Sequence, residues 1–432
     1  MKAQLSKPTK TLHPFQLTLL QILFFAIIGV PFAYIFDKEG YFFWLIRNVP
    51  EAMALQSYYW VVYGFILIII LYYLSGLNKK ILRYQSLNLT FIPYKKYKNI
   101  WLLSFSLACL CFMVVFAQSG FSHPGLSAIG LTHNEYAVQR ISSGQLFNRS
   151  ILNIGLGLFA SFSMVIALFI LKKPIISFIT IILTLLLALF SLQKSIIADT
   201  ILLITFVYLF IKPLPWKKLF IIGVLCLLPI GTLWLISGGV STMSMLSNSF
   251  SDRILYGQIG DLPYYFDLFE HDRLSSLSML PPYIQSLYGE PVPSASQLVM
   301  EYTNPVAVAN GTAGVASTVF IGEAYAVGGI LGIILSPFII FLNYFIIINI
   351  FIRLPKTIYS VFVFGYLFNK MTQAMLNSFG YFVFSSIQII MFLVLYFGVI
   401  YILAVKKKRS ETLARSCYFE DNDNSRCPPP IY

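Results

Sequence analysis

The sequence predicts an all-α fold, a polytopic helical membrane protein with about ten transmembrane helices. Of its 432 residues 58% are hydrophobic and only 11% are charged, and the mean hydropathy is +0.77. Soluble domains carry about 25% charged residues, and they cannot bury so large a share of apolar side chains. Lipid is therefore the expected solvent for much of the chain.

Ten apolar runs come close to the length of about 17–25 residues that crosses the hydrocarbon core. They cover residues 14–36, 57–77, 99–118, 151–171, 175–193, 196–211, 219–239, 326–352, 357–376 and 381–405. The fifth and sixth runs meet at the tight turn "SLQKS", so they form either two spans or one re-entrant hairpin. The first run is full length, and we expect it to stay in the membrane rather than to be cleaved as a signal peptide.

Charge segregates between the two sides that these runs define. With the N-terminus in the cytoplasm, the inner segments hold 22 of the 30 Lys and Arg residues and, before the C-terminal tail, no Asp or Glu. The outer segments hold the other 8 basic residues and 13 of the 17 acidic ones. This is the positive-inside pattern, so both termini are predicted to be cytoplasmic. It also accounts for the net charge of +13 without nucleic acid as a partner.

The chain reads as one membrane domain over residues 1–405 followed by a polar, proline-containing tail at 406–432, which we expect to be disordered and cytoplasmic. Two outer loops are long, at about 119–150 and, between helices seven and eight, 240–325. The second loop is rich in Tyr, Phe, Leu and Met, so short helices that cap the outer face are expected there rather than disorder.

Six of the eight basic residues on the predicted outer side are candidates for binding a ligand. Each could pair with a nearby carboxylate, as Arg253 with Asp252 or Arg273 with Asp272. As a set they suggest an anionic ligand, because guanidinium matches phosphate in a bidentate fork. The six are Arg140, Arg149, Lys194, Arg253, Arg273 and Lys370.

Two residues are candidates for a general base on the same side. Glu323 lies in "FIGEAYAVGGILG", where the large loop re-enters the membrane and where an unpartnered carboxylate is costly. His271 lies in "DLFEHDR" among acidic neighbours. The alternatives are an interfacial anchor or a salt bridge to an outer arginine for Glu323, and a solvated helix face for His271.

The aromatic residues near these candidates have two interpretations, and the glycines have one. Tyr264 and Tyr265 in "PYYF" are either interfacial anchors or flat platforms for sugar rings. Gly328 and Gly332 form a G-x-x-x-G pair, which is typical of close helix packing.

Several classes of chemistry lack their motifs in this sequence. There is no Walker A motif, no H-E-x-x-H, no G-x-S-x-G and no D-x-D in an outer loop. The five cysteines show no metal-ligand spacing and no disulfide framework. We therefore expect no metal ion and no cofactor.

The plan of spans resembles the bacterial Wzy-type O-antigen, or oligosaccharide repeat-unit, polymerases. The similarity lies in ten spans with cytoplasmic ends, a large late outer loop that carries arginines, and the re-entry segment "GEAYAVGGILG". The turn "SLQKS" is similar to a turn of that family in which arginine is more common than Lys194. The resemblance covers about residues 14–405, and it is one of architecture more than of local motifs.

The resemblance implies a metal-independent glycosyltransferase of the bacterial inner membrane. The donor and the acceptor would be glycans on undecaprenyl diphosphate, and a flippase and a chain-length regulator would be possible partners. Arg253, Arg273, Arg140 and Lys194 would bind the diphosphate, Glu323 or His271 would act as the base, and Tyr264 and Tyr265 would stack on sugar.

Three other functions stay open. An O-antigen-type ligase would use the same donor with a different acceptor. A lipid-linked oligosaccharide flippase or another transporter would need charged residues deep within the spans, where the sequence has few. A purely structural or assembly subunit is the third.

Overall fold

The structure, a computed structural model, is helical almost throughout the part of the chain that it describes. That part comprises residues 11–28, 51–89, 94–128, 139, 146–192, 194–212, 214–215, 259–280, 282–289, 292–309, 316 and 318–385. Four of the helices found there are long and apolar enough to cross a membrane: Ala52–Leu74, Tyr94–Gln118, Arg149–Leu171 and Phe320–Phe351. The predicted class, a helical membrane protein, is thereby confirmed, whereas the count of ten spans and their orientation stay predictions.

The elements follow the apolar runs of the sequence. They are β1 (Thr11–Leu12), α1 (Pro14–Ile27), α2 (Glu51–Leu74), α3 (Leu77–Ser86), α4 (Tyr94–Gln118), α5 (Pro124–Ser127), α6 (Arg149–Leu171), α7 (Pro174–Phe190), α8 (Lys194–Ile211), β2 (Leu214–Pro215), α9 (Leu262–Leu268), α10 (Pro282–Gln285), α11 (Ala295–Thr303), α12 (Pro305–Ala309), α13 (Phe320–Phe351) and α14 (Ile358–Asn377). The predicted span at 219–239, most of that at 381–405 and the domain boundary at 405 lie outside the described residues.

Helices α7 and α8 occupy the uncertain fifth and sixth runs. They have 17 and 18 residues, which corresponds to roughly 25–27 Å of helix each. They are separate helices joined at residues 191–193, each slightly shorter than the hydrocarbon core of about 30 Å.

Four segments that the charge pattern assigns to the cytoplasm meet at one end of the helices. Strand β1 pairs with β2, so the start of α1 lies beside the end of α8. The buried Lys356 ammonium donates to the carbonyls of Gln85 and Leu87 at 2.9 and 2.6 Å and contacts that of Ile211 at 3.4 Å. Burial lowers the pKa of Lys356 to about 8. These contacts tie the ends of α3 and α8 to the turn before α14.

At the other end, the loop after residue 259 packs onto the helices. Gly322, in the first turn of α13, has no free space beside it. A Cβ there would lie 3.1 Å from Cγ of Tyr265 and 3.2 Å from Cδ1 of Leu262. Helix α9 therefore rests directly on the start of α13, as expected for a loop that caps one face of the bundle.

His123 supports the same end through both ring nitrogens. Its Nδ1 accepts from the Leu126 N–H at 3.2 Å as the N-cap of α5, and its Nε2 lies 3.0 Å from the Leu186 carbonyl of α7. The neutral Nε2–H tautomer satisfies both bonds. Burial lowers the pKa of His123, in agreement with that neutral form.

Helices α8 and α14 pack with their backbones in close approach. A Cβ on Gly365 would lie 2.6 Å from Cγ2 of Val207 and 3.0 Å from its backbone. The rings of Phe210 and Phe364 stack beside this contact, with their centroids 4.0 Å apart. A small residue at 365 allows this approach, which brings the polar side chains of α14 close to α8.

Candidate functional site

The site begins at a break in α13. Gly329 has φ 59° and ψ −146°, a conformation that glycine adopts readily and other residues rarely do. The helix of 32 residues is thereby divided. The part after the break, residues 330–351, is roughly 33 Å long and matches the thickness of a membrane.

Of the two glycines at 328 and 332, one allows a close approach between the two parts of α13. A Cβ on Gly332 would lie 2.2 Å from the Ala324 carbonyl oxygen of the same segment, whereas Gly328 has open space around it. The close packing predicted for this pair is therefore found at Gly332, between the two parts of α13, and not at Gly328 within the described structure.

Arg273, on the loop after residue 259, packs against the break in α13. Its guanidinium donates to the carbonyls of Phe269, Glu270 and Tyr325, and its Cζ lies 4.2 Å from the centroid of the Tyr325 ring. The next residue along the chain donates its N–H to the Ala326 carbonyl at 2.9 Å. In a continuous helix the carbonyls of residues 325 and 326 would pair with residues 329 and 330, so the loop satisfies groups that the break releases.

Arg273 is nevertheless exposed to solvent. Within the described residues, no carboxylate lies within 4.0 Å of its guanidinium, Asp272 included. The predicted local pair of these two residues is therefore absent from this structure. Among the residues that the structure describes, the positive charge of Arg273 thus has no acidic partner, and it lies beside Gly329 at the break.

Glu323 lies in the first turn of α13, six residues before the break. Its Oε2 accepts two hydrogen bonds of 2.8 Å, one from Ser378 Oγ and one from the backbone N–H of Gly380. Both donors belong to the turn that follows α14. The carboxylate therefore fastens α13 to that turn, the anchoring alternative of the sequence analysis, while its role as a base stays a prediction.

Tyr264 and Tyr265 are packed into the interior, with 5% and 0% of their surface exposed. The neighbouring Phe266 ring stacks on Tyr325 with the centroids 4.1 Å apart. The aromatic cluster thus attaches the loop to α13. Stacking of either tyrosine on a sugar stays a prediction that requires this loop to open.

His271 lies in solvent on the same loop. Its side chain is 89% exposed, and its Nε2 is 4.0 Å from Oε2 of Glu270, which is 52% exposed. Farther along, Asp267 accepts a bond of 2.9 Å from the Tyr302 hydroxyl, and this bond raises the pKa of Tyr302. The acidic stretch is thus a solvated face that is fastened to α11 at one point.

The other predicted cations are described only in part. Arg253 and Arg140 lie outside the described residues, and Lys194 begins α8 with its side chain outside them. Asp199, farther along α8, is within electrostatic range of Lys370. The amide of Asn369 donates to the Asp199 carbonyl at 3.3 Å.

Sequence reasoning missed the polar face of α14. Tyr366, Asn369, Lys370 and Gln373 follow helical spacing, and the ammonium of Lys370 donates to Oε1 of Gln373 at 3.1 Å. Polar residues at i, i+3, i+4 and i+7 of an apolar run were the available signal.

The described residues hold no group of three or more His, Cys, Asp or Glu side chains that could bind a metal ion. Comparison of the chain with protein-family models, with curated proteins and with solved structures finds no match. The function must therefore be argued from the residues themselves.

Proposed function

We propose that this protein polymerises undecaprenyl-diphosphate-linked oligosaccharide repeat units at the outer face of a bacterial cytoplasmic membrane. A hydroxyl of the acceptor unit attacks the anomeric carbon of the donor glycan. The bond to the diphosphate oxygen breaks, and the lipid diphosphate leaves with the electron pair. A base on the protein takes up the proton of the hydroxyl.

The exposed guanidinium of Arg273 is the observation that carries the proposal. It is held at a defined place over the broken helix by bonds to three carbonyls, so it loses little conformational freedom on binding. With no carboxylate within 4.0 Å in the described part of the chain, its charge is available to an anion. A cation so placed would stabilise the negative charge of the departing diphosphate.

Glu323 is the first candidate for the base. It lies on the same short segment as Tyr325, the residue on which Arg273 stacks, so carboxylate and guanidinium occupy one end of α13. The bonds from Ser378 and Gly380 fix its orientation. His271, two residues before Arg273 and fully solvated, is the second candidate.

A flippase for lipid-linked oligosaccharides is the second candidate function. The observation in its favour is the attraction between Asp199 on α8 and Lys370 on α14, because ionisable residues inside membrane helices commonly mark transport pathways. An O-antigen-type ligase would share the site of the polymerase, and the phenotype of a deletion mutant distinguishes the two. Loss of a polymerase leaves single units attached to the lipid acceptor without a ladder, whereas loss of a ligase leaves no units attached at all.

The test is complementation of a deletion strain by variants of Arg273. We expect Arg273→Ala to abolish long polymer and to leave single units, and Arg273→Lys to restore part of it, since lysine keeps the charge but not the fork. Arg353→Ala is the matched control, an exposed arginine at the opposite end of the bundle. Normal polymer from Arg273→Ala, at an unchanged amount of protein in the membrane, would contradict the proposed role.

A further inference from the structure

A second polar cluster lies along α14, and neither Arg273 nor Glu323 belongs to it. Lys370 is seven residues before the end of α14 at Asn377, which places it roughly 10 Å below that end of the helix. Around it lie side chains from three segments of the chain. The cluster consists of Asp199, Tyr366, Asn369, Lys370, Gln373 and Tyr381.

Three buried polar atoms of the cluster have no hydrogen-bond partner among the described residues. They are Oδ1 of Asn369, Nε2 of Gln373 and the hydroxyl of Tyr381. Asn369 is only 2% exposed. A buried polar group without a hydrogen-bond partner destabilises the fold, because its bonds to water are lost and not replaced. Asn369 and Gln373 are one helical turn apart on α14, and the unpartnered atoms suggest that a polar ligand binds beside this helix.

The charges of the cluster favour a neutral ligand. Asp199 and Lys370 attract each other, yet no ion pair within 4.0 Å joins them in the described structure. Their formal charges already cancel, and an added anion or cation would upset that balance in a medium of low dielectric. The unpartnered atoms include a donor and an acceptor, which is the combination that hydroxyl groups satisfy.

The walls of the cluster contain two π-helical segments. One is Gly155–Ala160 within α6, where Gly157 faces the Tyr366 ring: a Cβ there would lie 3.6 Å from Cε2. The other is Tyr381–Ser385, which contributes Tyr381 itself. Such segments are frequent at functional sites. Tyr366, Lys370 and Gln373 are only half-buried, so the cluster can be reached.

We propose that this cluster binds hydroxyl groups of a sugar. The inference rests on the proposed function and deepens it, since the cluster would hold part of the glycan while Arg273 holds the diphosphate. Amide and carboxyl side chains next to aromatic rings supply the directional bonds and the apolar faces that a sugar ring requires. The mixed donors and acceptors would then be satisfied by the substrate.

The experiment measures lipid binding to the full-length protein in nanodiscs. The two probes are undecaprenyl diphosphate and the undecaprenyl-diphosphate-linked repeat unit isolated from cells in which the gene is deleted. We expect the sugar-bearing lipid to bind the wild type at least about fivefold more tightly, the equivalent of one good hydrogen bond.

Variants of the cluster then test whether it causes the difference in affinity between the two lipids. Asn369→Leu and Gln373→Leu should each remove the preference for the sugar-bearing lipid and leave the affinity for undecaprenyl diphosphate unchanged, whereas Arg273→Ala should weaken both. Asn377→Leu is the control, because this residue is exposed at the end of α14. The melting temperature of each variant reports whether it has folded.

The outcomes separate the two proposals. Equal affinity of the wild type for both lipids would mean that the cluster holds internal water only, and would overturn the sugar site while the diphosphate site stands. Failure of both lipids to bind would overturn the proposed function and the sugar site together. A preference that survives in Asn369→Leu and Gln373→Leu would place the sugar elsewhere.

Discussion

At the residue scale, Glu323 combines an anchoring contact with the position expected of a base. The sequence indicated its importance, because a carboxylate at the membrane edge needs a partner. Its partners could not be read in the same way, since Ser378 and Gly380 lie more than fifty residues farther along the chain. Arg273 is similar: its charge was predicted, but not its contact with Tyr325.

Two substitutions of Glu323 separate anchoring from catalysis. Glu323→Gln keeps an oxygen that can accept from Gly380 and removes the negative charge. We expect it to fold with nearly the wild-type melting temperature and to lose polymer formation by about 100-fold or more, the contribution typical of a general base. Glu323→Ala removes the acceptor as well and should be less stable by about 1–3 kcal/mol. Normal polymer from a well-folded Glu323→Gln would show that the residue only anchors.

The buried histidines predict how stability depends on pH. Burial lowers the pKa of His13 to about 4 and also lowers that of His123, from an ordinary value near 6.5. The unfolded chain therefore binds more protons below pH 6.5, and the free energy of unfolding should decrease as the pH falls from 6.5 towards these lowered values.

The measurement is the melting temperature in detergent at pH 7.5 and pH 5.0. Both histidines are N-caps whose Nδ1 accepts a backbone N–H, a role that asparagine can take over. We expect His13→Asn together with His123→Asn to show a smaller decrease between the two pH values than the wild type. An identical decrease would assign the effect to other groups.

At the element scale, α13 shows what local pattern can and cannot predict. The glycines of "GEAYAVGGILG" indicated an unusual segment where the loop re-enters the membrane. The pattern could not show that Gly329 takes a positive φ or that Gly332 meets the Ala324 carbonyl, because these facts depend on how the segment turns back on itself. The polar face of α14 was missed for a related reason. The residues that it contacts lie on α6 and α8, far from α14 in the sequence.

The geometry of the break in α13 predicts different effects on stability when two of its glycines are replaced by alanine. Gly332→Ala would place a Cβ 2.2 Å from the Ala324 oxygen, whereas Gly328→Ala would meet no atom within 4 Å. We expect the first variant to lose about 1–3 kcal/mol of stability through overpacking. The second should match or slightly exceed the wild type, because alanine favours helix. Equal melting temperatures of the two variants would contradict the observed contact.

At the scale of the whole molecule, the segments that connect the helices meet in two groups, one at each end of the helices. The charge pattern predicts the same grouping. Residues 77–87, 211–215 and 353–357 meet at one end, and the loop after residue 259 meets the start of α13 and the end of α14 at the other. Hydropathy and charge could predict this arrangement because each span reverses the chain. The side of the membrane on which each end lies stays a prediction.

Cysteine labelling in intact cells tests the sidedness. In a cysteine-free background, Asp272→Cys should react with a membrane-impermeant maleimide, because the residue is exposed and predicted to be outside. Lys95→Cys, also exposed but predicted to be cytoplasmic, should react only after the cells are made permeable. The reverse pattern would invert the topology and remove Arg273 from the outer face.

Reconstitution tests the central claim, glycan transfer between lipid-linked units, most directly. The purified protein in liposomes is given undecaprenyl-diphosphate-linked repeat units without nucleotide sugar, metal ion or any energy source, and the products are separated by length. The account predicts chains of two or more units and release of undecaprenyl diphosphate, with neither product from Arg273→Ala and both from Arg353→Ala. Units that remain single with the wild-type protein, and above all units that cross the bilayer unchanged, would contradict it.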